Sequence, residues 1–261
     1  RFITDLMWYG QLGFQSVVWT QLGVKIGLWV AYALLMALTG FVSAWLAIRA
    51  RPDSADGSTI RINGDVVEVG KSVSSKTARR VAVVISLIVG VIFGSQFNAN
   101  WSEILLMFNA QSFGTTDPQF GLDNGFYVFV LPGLKLVLAA VAMLLGVGLV
   151  FSVVTHVLMG GIRITMPVNG RGLFSITKRC RRQLGIWLML NMFAWAVRQM
   201  IGVFDQLTVQ GSRITGASYT AVHANIPVTF IMAALTAILG VVLGIWLMRS
   251  HTLEGQASIG V

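Results

Sequence analysis

The residues best suited to chemistry are three cations that fall inside apolar stretches of the sequence. Lys25 lies near one end of the first such stretch and Lys135 near one end of the third. Arg198 lies six residues from the end of the fourth. Charge at membrane depth is costly and by default indicates a functional site, although a long cationic side chain can reach back to the interface. Two alternatives stay open: a structural ion pair, with Asp205 on the same helical face as Arg198, or an anionic lipid headgroup held between the cations.

A second candidate is the segment from Phe108 to Pro132, which combines carboxylates, aromatic rings and turn residues. Its glycines and its Asp-Pro and Asn-Gly pairs are typical of turns, and its rings supply apolar anchors between them. Asp117 and Asp123 have the oxygen ligands that Ca²⁺ prefers, but capping of turns explains the same carboxylates, and we expect no metal. We predict a compact, membrane-hugging loop that serves as a lid or docking surface. Its signature residues are Phe113, Gly114, Asp117, Pro118, Phe120, Asp123, Phe126, Tyr127 and Pro132.

Templates for catalysis are missing from the sequence. It contains no HExxH, no GxSxG and no Walker-type glycine loop. The histidines His156, His223 and His251 fall on different segments, and the single cysteine, Cys180, is expected to be a free thiol. An enzyme built on Asp117 and Asp123 would lack a second group of catalytic residues. The expectation is a non-enzymatic protein without a cofactor.

The composition is that of a membrane protein. Of the 261 residues, 55% are hydrophobic and 11% are charged, whereas soluble domains carry about a quarter charged residues. A hydrocarbon core of about 30 Å needs about 20 helical residues. The predicted fold is an all-α, polytopic helical bundle that forms a single transmembrane module over residues 1–261. Its five spans are predicted at about 22–48, 81–97, 132–158, 184–204 and 228–248.

Loop charge predicts the orientation of this bundle. Seven basic residues lie between the first two spans and six between the third and fourth, while residues 98–127 contain no Lys or Arg. Cytoplasmic loops are enriched in Lys and Arg, so both basic loops are predicted to be cytoplasmic. In a multi-pass protein of the plasma membrane, Arg1 is then extracytoplasmic and Val261 cytoplasmic. The structured loop 98–131 faces outward, as does the loop before the fifth span, with Tyr219, Thr220 and His223.

Smaller patterns predict local structure at both ends of the bundle. In TIRINGDVVEV, Asn63-Gly64 separates two β-rich runs and predicts a small cytoplasmic hairpin with a type I′ turn. In the second basic loop, Leu173, Phe174 and Ile176 beside a cationic cluster suit an element that lies on an anionic inner leaflet, although a plain retention signal explains them equally. Residues 2–21 and 101–109 mix aromatic and polar residues and predict interfacial segments that form an outer collar.

Glycines four residues apart occur in three of the spans. Because small residues let helix backbones approach closely in lipid, we expect these pairs to join helices of the bundle rather than to make a dimer. The pairs are Gly23/Gly27, Gly90/Gly94 and Gly240/Gly244.

The sequence FGTTDPQFGLDNGFYVFVLP resembles the signature of a family of large bacterial membrane proteins, uncharacterised protein family 0182. TDLMWYGQLGFQSVVWT, HVLMGGIRI and GASYTAVHANIP are similar to further parts of that family, so the resemblance covers nearly the whole chain. It implies seven spans in all, one before Arg1 and one after Val261, and a large extracytoplasmic domain beyond residue 261. The charge pattern independently leads us to expect a span before Arg1. The resemblance implies no activity.

The expected function is a non-enzymatic anchor or scaffold in a membrane complex of the cell envelope. Expected partners are membrane lipids, anionic inner-leaflet lipids at the basic loops, and other membrane proteins, a membrane-bound protease or its adaptor among them. Nucleic acid is excluded because the net charge of +9 is concentrated in the loops that flank spans. The alternative function is lipid or small-solute handling, with Lys25, Lys135 and Arg198 lining a cationic outer-leaflet pocket.

Overall fold

The computed structural model describes residues 2–50, 58–62, 65–69, 75–159, 161–164, 174–209 and 216–250. The helices in these ranges are α1 (Phe2–Gln11), α2 (Gln15–Arg49), α3 (Ser75–Asn98), α4 (Trp101–Phe108), α5 (Leu131–Leu158), α6 (Lys178–Gly202) and α7 (Ile226–Arg249). Short π-helical segments, Phe126–Val130 and Ala221–Asn225, lead into α5 and α7, and a 3₁₀ turn, Val203–Leu207, follows α6. The strands are β1 (Ser58–Ile62), β2 (Asp65–Val69), β3 (Ile162–Ile164) and β4 (Phe174–Ile176).

Five helical stretches in the described residues are long and apolar enough to cross a membrane, so the predicted number of spans is confirmed by length and composition. Most extend beyond the predicted bounds, because hydropathy marks only the apolar part of a helix whose hydrogen bonding continues into polar flanks. The stretches are Gln15–Arg49, Lys76–Ser95, Phe126–Leu158, Lys178–Leu207 and Ala221–Arg249.

The segment predicted as one interfacial unit over residues 2–21 is divided between two helices. Gly13 has a positive φ of 76°, which favours glycine, and it separates α1 from α2. Residues 15–21 therefore belong to the first long helix, while α1 is a separate short helix beside it. The predicted short segment at residues 101–109 forms α4.

Helix α5 lies between two helix pairs. α2 packs along α3, α6 packs along α7, and α5 contacts both α2 and α6. Tyr32, Met36 and Ala140 form a buried cluster where α2 meets α5, and Val89 and Phe93 of α3 pack against it. The Tyr32 hydroxyl donates a hydrogen bond to the Ala140 carbonyl oxygen at 3.1 Å, so the ring's polar end has a partner inside this cluster.

Two of the three glycine pairs join helices of this bundle as predicted. A Cβ at Gly90 would lie 2.5 Å from the Ala33 carbonyl oxygen of α2, and one at Gly94 would lie 3.0 Å from Trp29. On the other side of the bundle, Gly240 and Gly244 lie against methionine side chains of α6. Gly23 and Gly27 do not act in this way, since a Cβ at either would meet no described atom within 4 Å.

The strands pair locally, as two separate two-stranded sheets. β1 and β2 are antiparallel, with Ser58 opposite Val69 and Ile62 opposite Asp65, and β3 pairs with β4 in the same sense. The Asn63-Gly64 turn lies outside the described residues, so the predicted hairpin with a type I′ turn stays a prediction. The predicted leaflet contact of Leu173 also lies outside them, and it too stays a prediction.

We predict that Gly90→Ala destabilises the bundle. The new methyl group would force α3 away from the backbone of α2, and overpacking of this kind costs about 1–3 kcal/mol. Thermal or denaturant unfolding in mild detergent would measure the loss. Gly27→Ala is the matched control, because its methyl group enters open space and adds only helix propensity. Equal stability of the two variants would contradict the close contact between α2 and α3.

Candidate functional site

The predicted site residues gather at one end of the bundle, where α5 begins and α6 ends. We call this the loop end, after the loop of residues 109–125 that lies there. The opposite end, where α6 begins and α7 ends, is called the basic end.

Asp123 organises the first part of the loop. Its Oδ1 accepts hydrogen bonds from the backbone amides of Phe113 and Gly125 at 2.9 and 2.6 Å. Its Oδ2 accepts from the Ser112 hydroxyl at 2.5 Å and from the Gly114 amide at 3.0 Å. Led by the Ser112 hydroxyl and the Phe113 amide, these donors lower the pKa of Asp123 to about 2. The carboxylate therefore closes the loop as an ionised acceptor.

Asp117 does the same for the second part of the loop. Its Oδ1 accepts from the amides of Gln119 and Phe120 at 2.8 and 2.7 Å. Its Oδ2 accepts from the Leu122 amide at 3.0 Å and from the Tyr127 hydroxyl at 2.8 Å. Burial raises the pKa of Asp117, but the four donors together outweigh it and the pKa is lowered.

The geometry matches the turn-capping alternative for both carboxylates. Asp123 accepts four hydrogen bonds from the loop itself. Asp117 accepts three from the loop and a fourth from the Tyr127 hydroxyl, which follows the loop. Few lone pairs of either carboxylate are left for a ligand. In the described part of the chain, no group of three His, Cys, Asp or Glu side chains could hold a metal ion. The loop is therefore a self-contained polar structure.

Glycines allow the loop to close so tightly. Gly114 and Gly121 have positive φ values of 69° and 67°, and a Cβ at Gly125 would overlap the Gln111 carbonyl oxygen. Thr116 and Asp123 form an antiparallel bridge across the loop. These close approaches explain why glycine and turn residues are concentrated in this stretch.

Phe204 anchors the loop to the bundle. This ring lies in the 3₁₀ turn after α6 and makes edge-to-face contacts with Phe120, Phe126 and Tyr127 at centroid distances of 4.9, 5.4 and 6.3 Å. Such pairs contribute about 0.5–1.5 kcal/mol each beyond the area they bury. Sequence reasoning missed Phe204; the available signal was an aromatic residue beside Asp205 at the end of the fourth span.

The structure gives the three predicted cations different surroundings. Lys135 Nζ forms a salt bridge with Asp205 Oδ1 at 2.8 Å, and Lys25 Nζ lies 5.2 Å from the ring centroid of Trp101. Arg198 is exposed and has no acidic partner among the described residues. The three therefore do not converge on one group.

Asp205 pairs with Lys135 of α5 and forms no salt bridge with Arg198 among the described residues. The predicted sharing of one helical face by Asp205 and Arg198 stays a prediction. The 3₁₀ turn at 203–207 advances about 120° per residue instead of about 100°. The turn therefore changes the direction of Asp205 by several tens of degrees relative to a regular continuation of α6, and Asp205 Oδ1 accepts a hydrogen bond from Lys135 Nζ at 2.8 Å.

The second loop contributes a local ring pair at the same end. Tyr219 and His223 stack with their ring centroids 4.0 Å apart and their planes 21° from parallel. His223 Nδ1 also lies 3.1 Å from the Tyr219 carbonyl oxygen. Thr220 immediately precedes the π-helical segment that leads into α7. Tyr219 is 78% exposed, so this pair adds an accessible aromatic surface to the loop end.

A buried polar cluster at the basic end was not predicted. The Gln183 side chain donates to the Ser43 carbonyl oxygen at 2.9 Å, and its Oε1 lies 3.0 Å from His156 Nε2. The Ser43 hydroxyl in turn donates to the Gly148 carbonyl oxygen at 2.5 Å. These contacts join α2, α5 and α6. The sequence showed only single polar residues in three separate spans, with no sign that they would meet.

Arg181 departs from the predicted role of the basic cluster. Lys178, Arg179 and Arg182 are exposed, but Arg181 is only 1% exposed and donates to the Ser250 carbonyl oxygen at the end of α7. Arg181 shares the inward face of α6 with buried Leu184 and Gly185, three and four residues further along the helix, and this position explains the difference. Cys180 is a free cysteine, as predicted.

A cleft of about 1080 Å³ opens between α3, α5 and α6. Its walls are mainly apolar, and Asn191, Arg198 and Gln199 are its polar lining residues. Asn191 donates to carbonyl oxygens of α5 and α6, and Gln199 donates to Thr236. Arg198 is therefore the cleft's available polar group, while Lys25 and Lys135 do not line it.

We predict that Asp123→Asn loosens the loop at neutral pH. Whichever way the new amide is turned, its NH₂ group faces a backbone N–H that the carboxylate had accepted, so at least one donor loses its partner. Hydrogen exchange at Phe113, Gly114 and Gly125 should accelerate. Glu103→Gln is the control. It removes a carboxylate of α4 whose side chain forms no hydrogen bond with the described residues. Equal rates of hydrogen exchange in both variants would contradict the prediction.

The loop should also have an acid limit set by Asp123. Because its pKa is about 2 in the folded loop and about 3.9 when unperturbed, its contribution to stability is complete above about pH 4 and is lost as the pH falls through about 2. Pepsin cleavage within residues 109–125, normalised to a peptide of the same sequence, should rise between pH 4 and pH 2. A constant normalised rate would show that Asp123 does not control the loop.

The sequence profile of UPF0182, described as an uncharacterised protein family, matches residues 1–259. A UPF0182 protein of Bifidobacterium adolescentis is 76% identical over 259 residues, which cover 99% of this chain and 24% of the relative. A UPF0182 protein of Kocuria rhizophila is 35% identical over 244 residues, covering 92% of this chain and 24% of the relative. One from Corynebacterium diphtheriae is 32% identical over 243 residues, covering 91% and 24%.

The chain thus spans about a quarter of the length of these relatives. A comparison with solved structures finds no match. The match to the family profile extends over almost the whole chain and includes the loop held by Asp117 and Asp123. The chain belongs to the uncharacterised protein family UPF0182.

Proposed function

We propose that this chain is a non-enzymatic anchor and scaffold module in a membrane complex of the bacterial cell envelope. The observation that carries the proposal is the preformed loop at one end of a bundle of five helices long enough to span a membrane. The loop's carboxylates are occupied by its own donors, whereas aromatic surface near it is exposed. A rigid, internally satisfied loop suits docking better than it suits catalysis.

Aromatic side chains form the proposed docking surface. Phe108 at the end of α4 is 77% exposed and Tyr219 is 78% exposed, and Phe113 is also exposed. Aromatic residues often dominate the binding energy of protein interfaces. Because the loop is already closed by hydrogen bonds, a partner would not have to order it on binding, which lowers the cost of association.

We propose that the loop end faces outward across the plasma membrane and the basic end faces the cytoplasm. The excess of Lys and Arg in the loops of the basic end supports this orientation. In it, the module would hold a large extracytoplasmic domain and other membrane proteins at the loop end, with a membrane-bound protease or its adaptor as one partner class. Exposed Lys178, Arg179 and Arg182 would meet anionic inner-leaflet lipids.

Lipid or small-solute handling is the second candidate function. The salt bridge of Lys135 and the ring contact of Lys25 count against a pocket shared by three cations. Arg198 and the cleft beside it are what support the candidate.

We predict that Phe108→Ala weakens assembly. Truncation removes an exposed ring from the proposed docking surface, and loss of an interface anchor costs about 1–2 kcal/mol or more, equivalent to about a fivefold to thirtyfold loss of binding. Co-purification of the full-length protein from mild detergent, quantified by mass spectrometry, would measure it. Phe193→Ala in the middle of α6 is the matched control, because Phe193 is also exposed, at 62%, but lies away from the loop end.

A wild-type protein that purifies as a solitary monomer would refute the assembly role. Equal loss of partners in both variants would place the interface on the lipid-facing surface of the bundle instead of at the loop end.

A further inference from the structure

We propose that the cleft between α3, α5 and α6 is a binding site for one anionic phospholipid of the loop-end leaflet. Its phosphate would bind Arg198 and its acyl chains would lie along α5. The site is independent of the proposed docking surface, since the residues that line the cleft do not include Phe108, Phe113 or Tyr219.

The length of the cleft fits one leaflet. On α5 its lining runs from Ala139 to Phe151, and on α6 from Leu188 to Gln199. At 1.5 Å per residue these stretches are about 18 and 17 Å long, close to the roughly 15 Å that half of a 30 Å hydrocarbon core provides. An acyl chain that enters beside Arg198 would reach the middle of the bilayer within the cleft.

The position of Arg198 fits a headgroup. It lies four residues before the end of α6, about 6 Å along the helix axis, at the end of the cleft nearest the loop. A long arginine side chain can carry its guanidinium to the interface from this depth. The planar guanidinium can then form two parallel hydrogen bonds with phosphate oxygens, a geometry that lysine cannot reproduce.

The charge of the cleft selects an anion. The lining residues include no carboxylate, and Arg198 has no acidic partner among the described residues. The other two polar lining residues, Asn191 and Gln199, use their amide groups in hydrogen bonds to the protein. Arg198 is thus the group in the cleft that an anionic ligand would engage.

A spanning helix is the competing occupant, and a second groove distinguishes it. A smaller groove of about 440 Å³ between α3 and α5 shares Val89, Val150 and Phe151 with the cleft and continues to Met159 at the basic end. A helix that crosses the membrane would fill both grooves, whereas a lipid of one leaflet would fill only the cleft. Pairing with Arg198 favours the lipid, because an apolar helix would leave this charge without a partner.

The test measures lipid binding by the full-length protein. Native mass spectrometry would follow the binding of phosphatidylglycerol and of phosphatidylcholine in mild detergent, with size-exclusion profiles to show that each variant is folded. Arg198→Gln should weaken phosphatidylglycerol binding about tenfold, as expected for loss of a charge-assisted contact. Arg198→Lys should restore part of the affinity. Lys25→Gln, which removes the same charge away from the cleft, should leave it unchanged.

Blocking variants test the place of binding. Ala142→Trp should fill the cleft and displace phosphatidylglycerol, while Ala82→Trp, which fills the smaller groove, should not. Equal binding of both lipids by the wild type, or unchanged binding in Arg198→Gln, would overturn the proposal. If both tryptophan variants lose a bound subunit in the mass spectra, or unfold because another spanning segment of the full-length protein is displaced, a helix occupies the grooves. If Ala142→Trp does not fold, the Arg198 variants decide the result.

Discussion

Backbone N–H and C=O groups must find hydrogen-bond partners, and the structure depends on this constraint. In the long helices the backbone satisfies itself. In the loop of residues 109–125 the backbone pairs with itself only in part, and Asp117 and Asp123 supply the acceptors for further amides that the turns leave open. The same carboxylates that suggested a metal or a reaction are thus occupied by the backbone, and the loop becomes a fixed part of the bundle.

The constraint also explains how the chain enters α5 and α7 from the loop end. Pro132 has no N–H for the Val128 carbonyl, and Pro227 has none for the His223 carbonyl, so a regular α-helix would be interrupted at each. The structure widens the preceding turn instead, with hydrogen bonds from Leu131 to Phe126 and from Ile226 to Ala221 that span five residues. π-helical turns of this kind often accompany functional sites.

Helix α5 is held at both ends, and the cleft lies along the stretch between these ends. At the loop end, Lys135 binds Asp205 and the loop rings pack on Phe204. At the basic end, His156 and Gly148 join the hydrogen bonds around Gln183 and Ser43. Between these anchors, α5 shares its surface with the pairs α2/α3 and α6/α7, and α3 and α6 remain apart. Two anchored ends and a separated middle are well suited to a module that positions other components.

The sequence by itself determined the five spans, the turn-rich loop and two of the three glycine contacts. These depend on local hydropathy, on turn residues and on the size of single side chains, all of which are properties of the residues themselves. Only the tertiary structure decided which partner each charged or aromatic side chain meets: Asp205 binds Lys135, Arg181 is buried, and Phe204 receives the loop. These outcomes depend on the rotation of each helix about its axis, and a short 3₁₀ turn changes that rotation by several tens of degrees. Periodicity in the sequence does not resolve such a change, because it assumes one regular helix from end to end.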